Sequence, residues 1–235
     1  SNHNGFYFGS EIKFVKSLSN LSYNFNKDKI NNYLFYGYKS IYKNKSTFHK
    51  NIYLLENATN LLVDLNLNIK KTKYWEPSLK VDNSMTIHDA AEKTNLLLTK
   101  SMQYRMRSDV PIAFCLSGGI DSGYLFSIAS KKLNHSVTSY SIIDDDKRYD
   151  ESKNIDLITK QTNTKNFKIN IKNKKKHFFD RVDEVTKYQD SPISSIAYYI
   201  HSYLSEHISK NKFRIAISGT GADEFFTGYY DHYLL

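Results

Sequence analysis

Residues 112–123 read IAFCLSGGIDSG. An apolar run of strand length, Ile112 to Leu116, breaks into Ser117-Gly118-Gly119-Ile120-Asp121-Ser122 and then enters a helical pattern. That is the layout of a strand ending at a phosphate-binding turn. Two glycines let backbone N–H groups approach an anion with no Cβ in the way. Ser117 and Ser122 add hydroxyl donors, and a helix beginning near Ser122 points its positive end at the same anion. Asp121 is out of place among phosphates unless a divalent cation sits between its carboxylate and the phosphate oxygens. The competing reading of these residues is an ordinary strand-turn-helix junction with a Ser or Asp cap.

The hexad Ser117–Ser122 resembles the SGGxDS pyrophosphate loop of the ATP pyrophosphatase superfamily, whose members cleave ATP between the α and β phosphates. It is unlike the Walker type, because no G-x-x-x-x-G-K-S/T occurs in the chain. A second stretch, ISGTGADEFFTGY at 217–229, resembles the SGxGADExFxGY motif of asparagine synthetases. Supporting matches in the same order are Tyr74-Trp75, Arg107-Ser108-Asp109-Val110-Pro111 and Tyr149-Asp150-Glu151-Ser152. On these motifs the chain is identified as similar to the asparagine synthetase-like, glutamine-dependent amidotransferases. The resemblance implies an α/β fold, a doubly wound parallel sheet of the adenine-nucleotide α-hydrolase type. A small β-containing remnant of a glutaminase domain would precede it. The implied boundaries are 1–77 for the remnant and 78–235 for the ATP-binding synthetase domain.

Bulk properties agree with a globular protein of one large domain or two small ones. The chain has 235 residues, 40% hydrophobic and 14% aromatic, too apolar for disorder. No apolar run reaches about 18 residues and no signal peptide opens the chain, so the expectation is a soluble, cytoplasmic protein with no membrane partner. The single cysteine, Cys115, sits in an apolar strand and reads as a core residue rather than a nucleophile. The formal charge of +9 invites a nucleic-acid reading, but only Lys172–His177 is clustered. A solvated lysine face is the simpler account, and a basic cleft suits ATP and pyrophosphate.

Upstream of the loop, Phe6–Lys13 resembles the FxSEIK stretch near the end of the family's glutaminase domain. Residues 52–55 and 61–65 read as strands separated by the polar turn 56–60. The resemblance implies that the main part of an N-terminal-nucleophile glutaminase lies upstream of Ser1. Such enzymes need a terminal cysteine, which Ser1-Asn2-His3 does not supply, so this chain is not expected to hydrolyse glutamine. Pro77 breaks continuous structure, and Ser84 is expected to cap a helix. Ile87, Ala90, Ala91, Thr94, Leu97, Leu98, Ser101 and Met102 then predict one buried helical face over about five turns. Arg105 and Arg107 lie at its basic end, where Arg107 reads as a helix-end charge or a phosphate contact.

Downstream, residues 124–132 predict a helix with Leu125, Ile128 and Ala129 inward, and 137–143 a second strand. Strand, helix, strand implies a right-handed crossover and a parallel sheet whose ligand lies at the carboxyl ends of the strands. Ile142 matches the family position whose backbone meets adenine. The run Asp144-Asp145-Asp146 reads as a solvated loop, since three consecutive carboxylates cannot all face one ion. A helix near Ser152 marked by Ile155, Leu157 and Ile158 leads to a third strand with Phe167, Ile169 and Ile171. Asp190 and Pro192 resemble the family's D-x-P before a helix striped by Ile193, Ile196, Ala197, Ile200, Leu204 and Ile208. Residues 213–217 predict the fourth strand, which delivers Ser218-Gly219-Thr220-Gly221-Ala222-Asp223-Glu224.

The expected site follows. Leu116, Ser117, Gly118, Gly119, Ile120, Asp121, Ser122, Ile142, Ser218 and Gly219 would bind ATP, and Asp121 with Asp223 would hold Mg²⁺ on the β and γ phosphates. Asp121 and Thr220 would stand at the chemistry. Asparagine synthetases commonly carry Glu where this chain has Thr220, and threonine is no base at neutral pH. The run 226–233 looks more like relatives associated with surface polysaccharides, which shifts the acceptor from aspartate toward a carboxylated sugar or another carboxylate. The implied activity is an ATP-dependent ligase: a carboxylate is adenylated with release of pyrophosphate, then amidated by ammonia from an upstream glutaminase domain. A homodimer is allowed for. The alternatives are another ATP pyrophosphatase, such as a tRNA-modifying enzyme, or a non-catalytic nucleotide-binding protein. The family's later helices, with a lysine on the phosphates, would lie beyond Leu235.

Overall fold

The computed structural model describes residues 5–78, 80–172 and 177–230. In chain order its elements are α1 (Ile12–Ser19), α2 (Lys27–Tyr36), β1 (Thr59–Val63), β2 (Ile69–Lys73), α3 (Ile87–Arg105), β3 (Ile112–Cys115) and α4 (Ile120–Ser127). They continue as β4 (Thr138–Ile143), α5 (Ser152–Thr162), β5 (Lys165–Asn170), α6 (Phe178–Gln189), α7 (Ala197–Lys210), β6 (Ile215–Ile217) and α8 (Ala222–Phe226). The chain divides into two compact units, Ser1–Val81 with Lys176–Tyr199, and Asp82–Lys175 with Ile200–Leu235.

The first unit is small and irregular. The Asn26 side chain caps α2 by accepting from the Lys29 N–H (3.2 Å). The buried Lys29 ammonium donates to the carbonyls of Ser40 (2.8 Å) and Ile41 (2.7 Å), around which Ile41, Phe48 and Ile52 pack. Burial lowers its pKa. At the other end, Lys13 of α1 ties to the end of α6, its N–H donating to Asp190 Oδ2 (3.0 Å) and its ammonium to the Tyr188 carbonyl (2.7 Å). The expected strand at 52–55 does not form; Tyr53 makes only an isolated bridge to Ser46. The antiparallel pair is β1 with β2 instead, in register Thr59 to Lys73 and Val63 to Ile69. Its turn is set by Asp64, whose carboxylate accepts from the Asn66 and Asn68 N–H groups and the Asn68 amide.

The second unit is built on a four-stranded parallel sheet in the order β5-β4-β3-β6. Alternation along β3 divides its side chains between two cores. Ile112, Phe114 and Leu116 pack with Met102 of α3, Phe126 of α4 and Ile155 of α5. Ala113 packs with Tyr140 of β4, Ile169 of β5, and Leu204 and Ile208 of α7. Helices therefore cover both faces of the sheet, the doubly wound arrangement expected from the sequence. Each large side chain sealed here, such as Phe114 and Phe126 (rings 5.3 Å apart, edge to face), contributes roughly 1.5 to 3 kcal/mol.

The helices differ from expectation in detail. Thr86, not Ser84, caps α3: its hydroxyl accepts from the Asp89 N–H (3.1 Å) while Asp89 accepts from the Thr86 N–H (3.1 Å). Ser84 instead closes a turn on the Asp82 carboxylate. The apolar face of α3 is covered only toward its C-terminal end, at Leu98, Thr99 and Met102, while Ile87 is 92% exposed. Periodicity marks a face without saying how much of it finds a partner. After α4 the helix widens into a π turn at Ile128–Lys132, closed by the Leu133 N–H on the Ile128 carbonyl (2.9 Å). Leu157 of α5, Ile196 before α7 and Ala197 at its start are exposed, so those three predicted core positions are not core.

Candidate active site

The sheet order decides where two loops can meet. The chain winds from β3 through β4 to β5 on one side and returns to place β6 on the other side of β3. The order therefore reverses between β3 and β6, and the crevice beyond the carboxyl ends of those strands is where such sheets bind ligands. Residues 117–122 leave β3 there, and residues 218–221 leave β6 there. The loops are in van der Waals contact. A Cβ built on Gly219 would lie 2.7 Å from the Ser122 nitrogen and 3.1 Å from Asp121, so only glycine fits.

The first loop is held by its own hydroxyls. Ser122 is buried, and its Oγ lies 2.8 Å from Ser117 Oγ, accepts from the Ser117 N–H (3.0 Å) and lies 3.2 Å from the Ser117 carbonyl. The Gly119 N–H donates to Ser117 Oγ (3.2 Å). Leu116 is fixed by two bonds to β4: its N–H donates to the Tyr140 carbonyl (2.9 Å) and its carbonyl accepts from Ser141 Oγ (2.6 Å). Ile120 is 87% exposed and Asp121 is exposed at the first turn of α4, whose eight residues direct their free N–H ends to the same side.

The second loop turns at Gly221, whose φ of +103° is a conformation that other residues avoid. Ser218 and Thr220 are exposed, with Ser218 Oγ donating to Thr220 Oγ1 (3.1 Å). Asp223, half-buried in α8, lies with its carboxylate against Gly228. The Gly228 N–H donates to the Asp223 carbonyl (2.9 Å), and Tyr229 OH donates to Glu224 (2.9 Å), which raises the Tyr229 pKa. Ile142 sits half-buried toward the carboxyl end of β4 and packs with the Tyr140 and Ile169 core.

Other candidates lie outside this group. Arg107 stacks over the Tyr104 ring at 5.2 Å, a helix-end role. Asp145 and Asp146 are spent on local partners, Asn170 (2.6 Å) with Lys172 (3.2 Å) and Arg148 (2.6 Å), which hold both carboxyls below their ordinary pKa. Cys115 packs beside the β4 and α7 core, and burial pushes its thiol up to about 11, which leaves no thiolate at neutral pH. Residues 173–176 of the lysine cluster and 231–233 of the tyrosine-rich run lie outside the described residues.

Sequence reasoning assigned no role to four residues that shape the loop. The Glu151 carboxylate accepts from the Gly118 N–H (3.0 Å), and the Asn154 amide donates to the Gly118 carbonyl (3.3 Å). Ser141 anchors Leu116, and Asn166 in turn donates to Ser139 Oγ (2.9 Å) and Ser141 Oγ (2.8 Å). The signal for the last pair was available: Ser139 and Ser141 recur at every second position of an otherwise apolar strand, and buried hydroxyls need partners.

The donor set suits a magnesium triphosphate. It offers exposed carboxylate and hydroxyl oxygens, with neither sulfur nor imidazole among the loop residues 117–122 and 218–224. Among the described residues no group of three or more His, Cys, Asp or Glu forms a metal cage. Magnesium is ordinarily held by one or two carboxylates plus substrate phosphates. Two recesses lie elsewhere: one of about 380 Å³ in the first unit beside Lys29 and Tyr198, and one of about 540 Å³ at the amino ends of β4 and β5. No helix of the described residues is long and apolar enough to cross a membrane.

Comparison with known proteins agrees with these motifs. The chain is 28% identical to the putative asparagine synthetase (glutamine-hydrolyzing) 2 of Methanocaldococcus jannaschii across 97% of its own length, but spans only 44% of that relative. It is 30% identical over 138 residues to asparagine synthetase (glutamine-hydrolyzing) 1 of Bacillus subtilis, covering 55% of this chain and 20% of that one. Among solved structures, the NH3-dependent NAD synthetase of Campylobacter jejuni aligns with a TM-score of 0.39 at 18% identity, over 62% of this chain and 61% of its own. The family profile described as asparagine synthase matches residues 93–235, the stretch that contains both loops, and the chain belongs to the asparagine synthase family.

Proposed function

We propose that residues 78–235 are the ATP-using part of an amide-forming ligase, and that residues 1–77 are the tail of a glutaminase domain that supplies ammonia. What carries this reading is the contact of Gly219 with Asp121 and Ser122 across the reversal between β3 and β6. The Gly119, Ile120 and Asp121 peptides, the Ser117 hydroxyl and the α4 terminus take up the leaving pyrophosphate. Ser218 and Gly219 close the other wall, and the Ile142 backbone faces the adenine. Asp121 and Asp223 are the residues that would hold Mg²⁺, and the ion would supply charge neutralisation at the β and γ phosphates. A substrate carboxylate oxygen attacks the α-phosphorus as the bond to pyrophosphate breaks. Ammonia then attacks the acyl carbon, AMP leaves, and the chain contributes positioning and fixed charge.

Thr220 supplies a neutral hydroxyl, so the proton from ammonia goes to another group. The acceptor is aspartate or a carboxylated sugar. Mg·ATP should raise the melting temperature, and Asp121→Ala should abolish the rise, with about 2 to 4 kcal/mol of transition-state stabilisation lost in turnover. A thermal shift that survives this substitution would overturn the assignment. The acceptor is found by carboxylate-dependent pyrophosphate exchange on a panel of amino acids and uronic acids.

A further inference from the structure

Gly118 is gripped by the start of α5 on three sides. Its N–H donates to Glu151 Oε2 (3.0 Å), its carbonyl accepts from Asn154 Nδ2 (3.3 Å), and a Cβ at this position would fall 2.6 Å from Glu151 Cβ and 3.0 Å from Asn154 Cβ. The N–H and the C=O of one residue, members of the two successive peptide units that flank its Cα, are thus both satisfied by side chains 33 and 36 residues away, across a helix-strand crossover. Glu151 itself stands at the N-cap of α5, where its carbonyl accepts from the Asn154 (3.0 Å) and Ile155 (3.1 Å) N–H groups. Ile155 is fully buried in the core beneath, so the clamp is seated on a fixed support.

A loop that receives a phosphate must hold its donors in place before the anion arrives, because ordering them on binding costs affinity. We propose that Glu151 and Asn154 are positioning residues for the nucleotide loop: they clamp the Gly118 peptide and thereby fix the direction of the Gly119, Ile120 and Asp121 N–H groups. The inference rests on the nucleotide reading above. It differs from a second arrangement, in which the Glu151 carboxylate competes with phosphate for the Gly118 N–H, by the sign of the mutational effect.

The experiment compares the full chain with Glu151→Ala and Glu151→Gln. Mg·ATP affinity is measured by calorimetry, and Gly118 amide exchange by NMR without nucleotide. Glutamine keeps an acceptor oxygen and removes the charge; alanine removes both. The expected result is a loss of about tenfold in affinity for Glu151→Ala, recovery to within about threefold for Glu151→Gln, and faster Gly118 exchange in the alanine variant alone. Tighter binding in both variants would establish competition and overturn the clamp. Unchanged affinity with faster exchange would reduce Glu151 to a purely structural role, which also overturns it. Absence of Mg·ATP binding by the unaltered chain would refute the nucleotide reading itself, a separate result from either.

Discussion

Substituting Gly219 by alanine tests the loop contact directly. Elsewhere the change would be mildly favourable, since Ala removes about 0.4 to 1 kcal/mol of unfolded-state entropy where its backbone is tolerated. Here the new methyl would stand 2.7 Å from the Ser122 nitrogen and 3.1 Å from both the Asp121 carbonyl carbon and Cβ. Ordinary contact needs about 3.5 Å, so one loop must retreat by roughly 0.8 Å. The obstacle is backbone held by the Ser117 and Ser122 hydroxyls, which cannot rotate away. Overpacking of this kind costs about 1 to 3 kcal/mol, for a net loss near 1 to 2 kcal/mol and a melting point lower by roughly 2 to 8 °C. A displacement approaching 1 Å at reacting groups costs on the order of 100-fold in turnover. The control is Gly123→Ala, where the obstacle at 2.9 Å is Ile158 Cδ1, a side-chain tip that can turn aside, and where helix propensity favours Ala. Thermal melts with and without Mg·ATP should show Gly219→Ala destabilised and unresponsive and Gly123→Ala close to the parent. Equal behaviour of the two variants would refute the argument that the loops touch through Gly219.

Further expectations concern the two cores and the first unit. Tyr140 is fully buried and its hydroxyl has no hydrogen-bond partner among the described residues, so Tyr140→Phe should be neutral or stabilising by up to about 1 kcal/mol; a loss above that in urea denaturation would reveal a missing partner. Burial raises the Cys115 thiol from 9.0 to about 11, so the folded chain keeps a proton that the unfolded chain releases. Its contribution is therefore full below pH 9 and lost as pH rises from 9 to 11, on the order of 2 kcal/mol, and the parent should lose more stability across that window than Cys115→Ala. Lys29→Met strands the Ser40 and Ile41 carbonyls and should lower stability by about 2 to 4 kcal/mol in circular-dichroism melts, while an unchanged melt would show that these carbonyls find other donors.

How far the sequence was legible varied with the kind of signal. The apolar run at 112–116 was readable as a buried parallel strand because nothing but burial on both faces explains five apolar residues in a row. The hairpin was not: residues 52–55 are as apolar as β1, yet β2 carries three lysines and pairs through backbone alone, so the Asp64 turn rather than hydrophobicity chose the register. The α3 stripe was placed in part: Leu98 and Met102 lie on the covered face, Leu97 is exposed and Thr99 is buried unpredicted, because a periodic face records where a partner would sit and not its extent. Glu151 was visible as part of a motif, but its bond to Gly118 joins residues 33 apart and has no local signature.

The residues alone determined the local chemistry: strand, glycine turn and helix at 112–127, a second glycine turn at 218–221, and the oxygen donors on each. These follow from short-range sterics and from side-chain functional groups, which travel with the sequence. Only the tertiary structure decided that β6 lies beside β3, that Gly219 meets Ser122, and that α5 grips Gly118. Such contacts depend on which strands share hydrogen bonds, a matter of burying two helical layers on one sheet at once, and no stretch of the chain carries that information by itself.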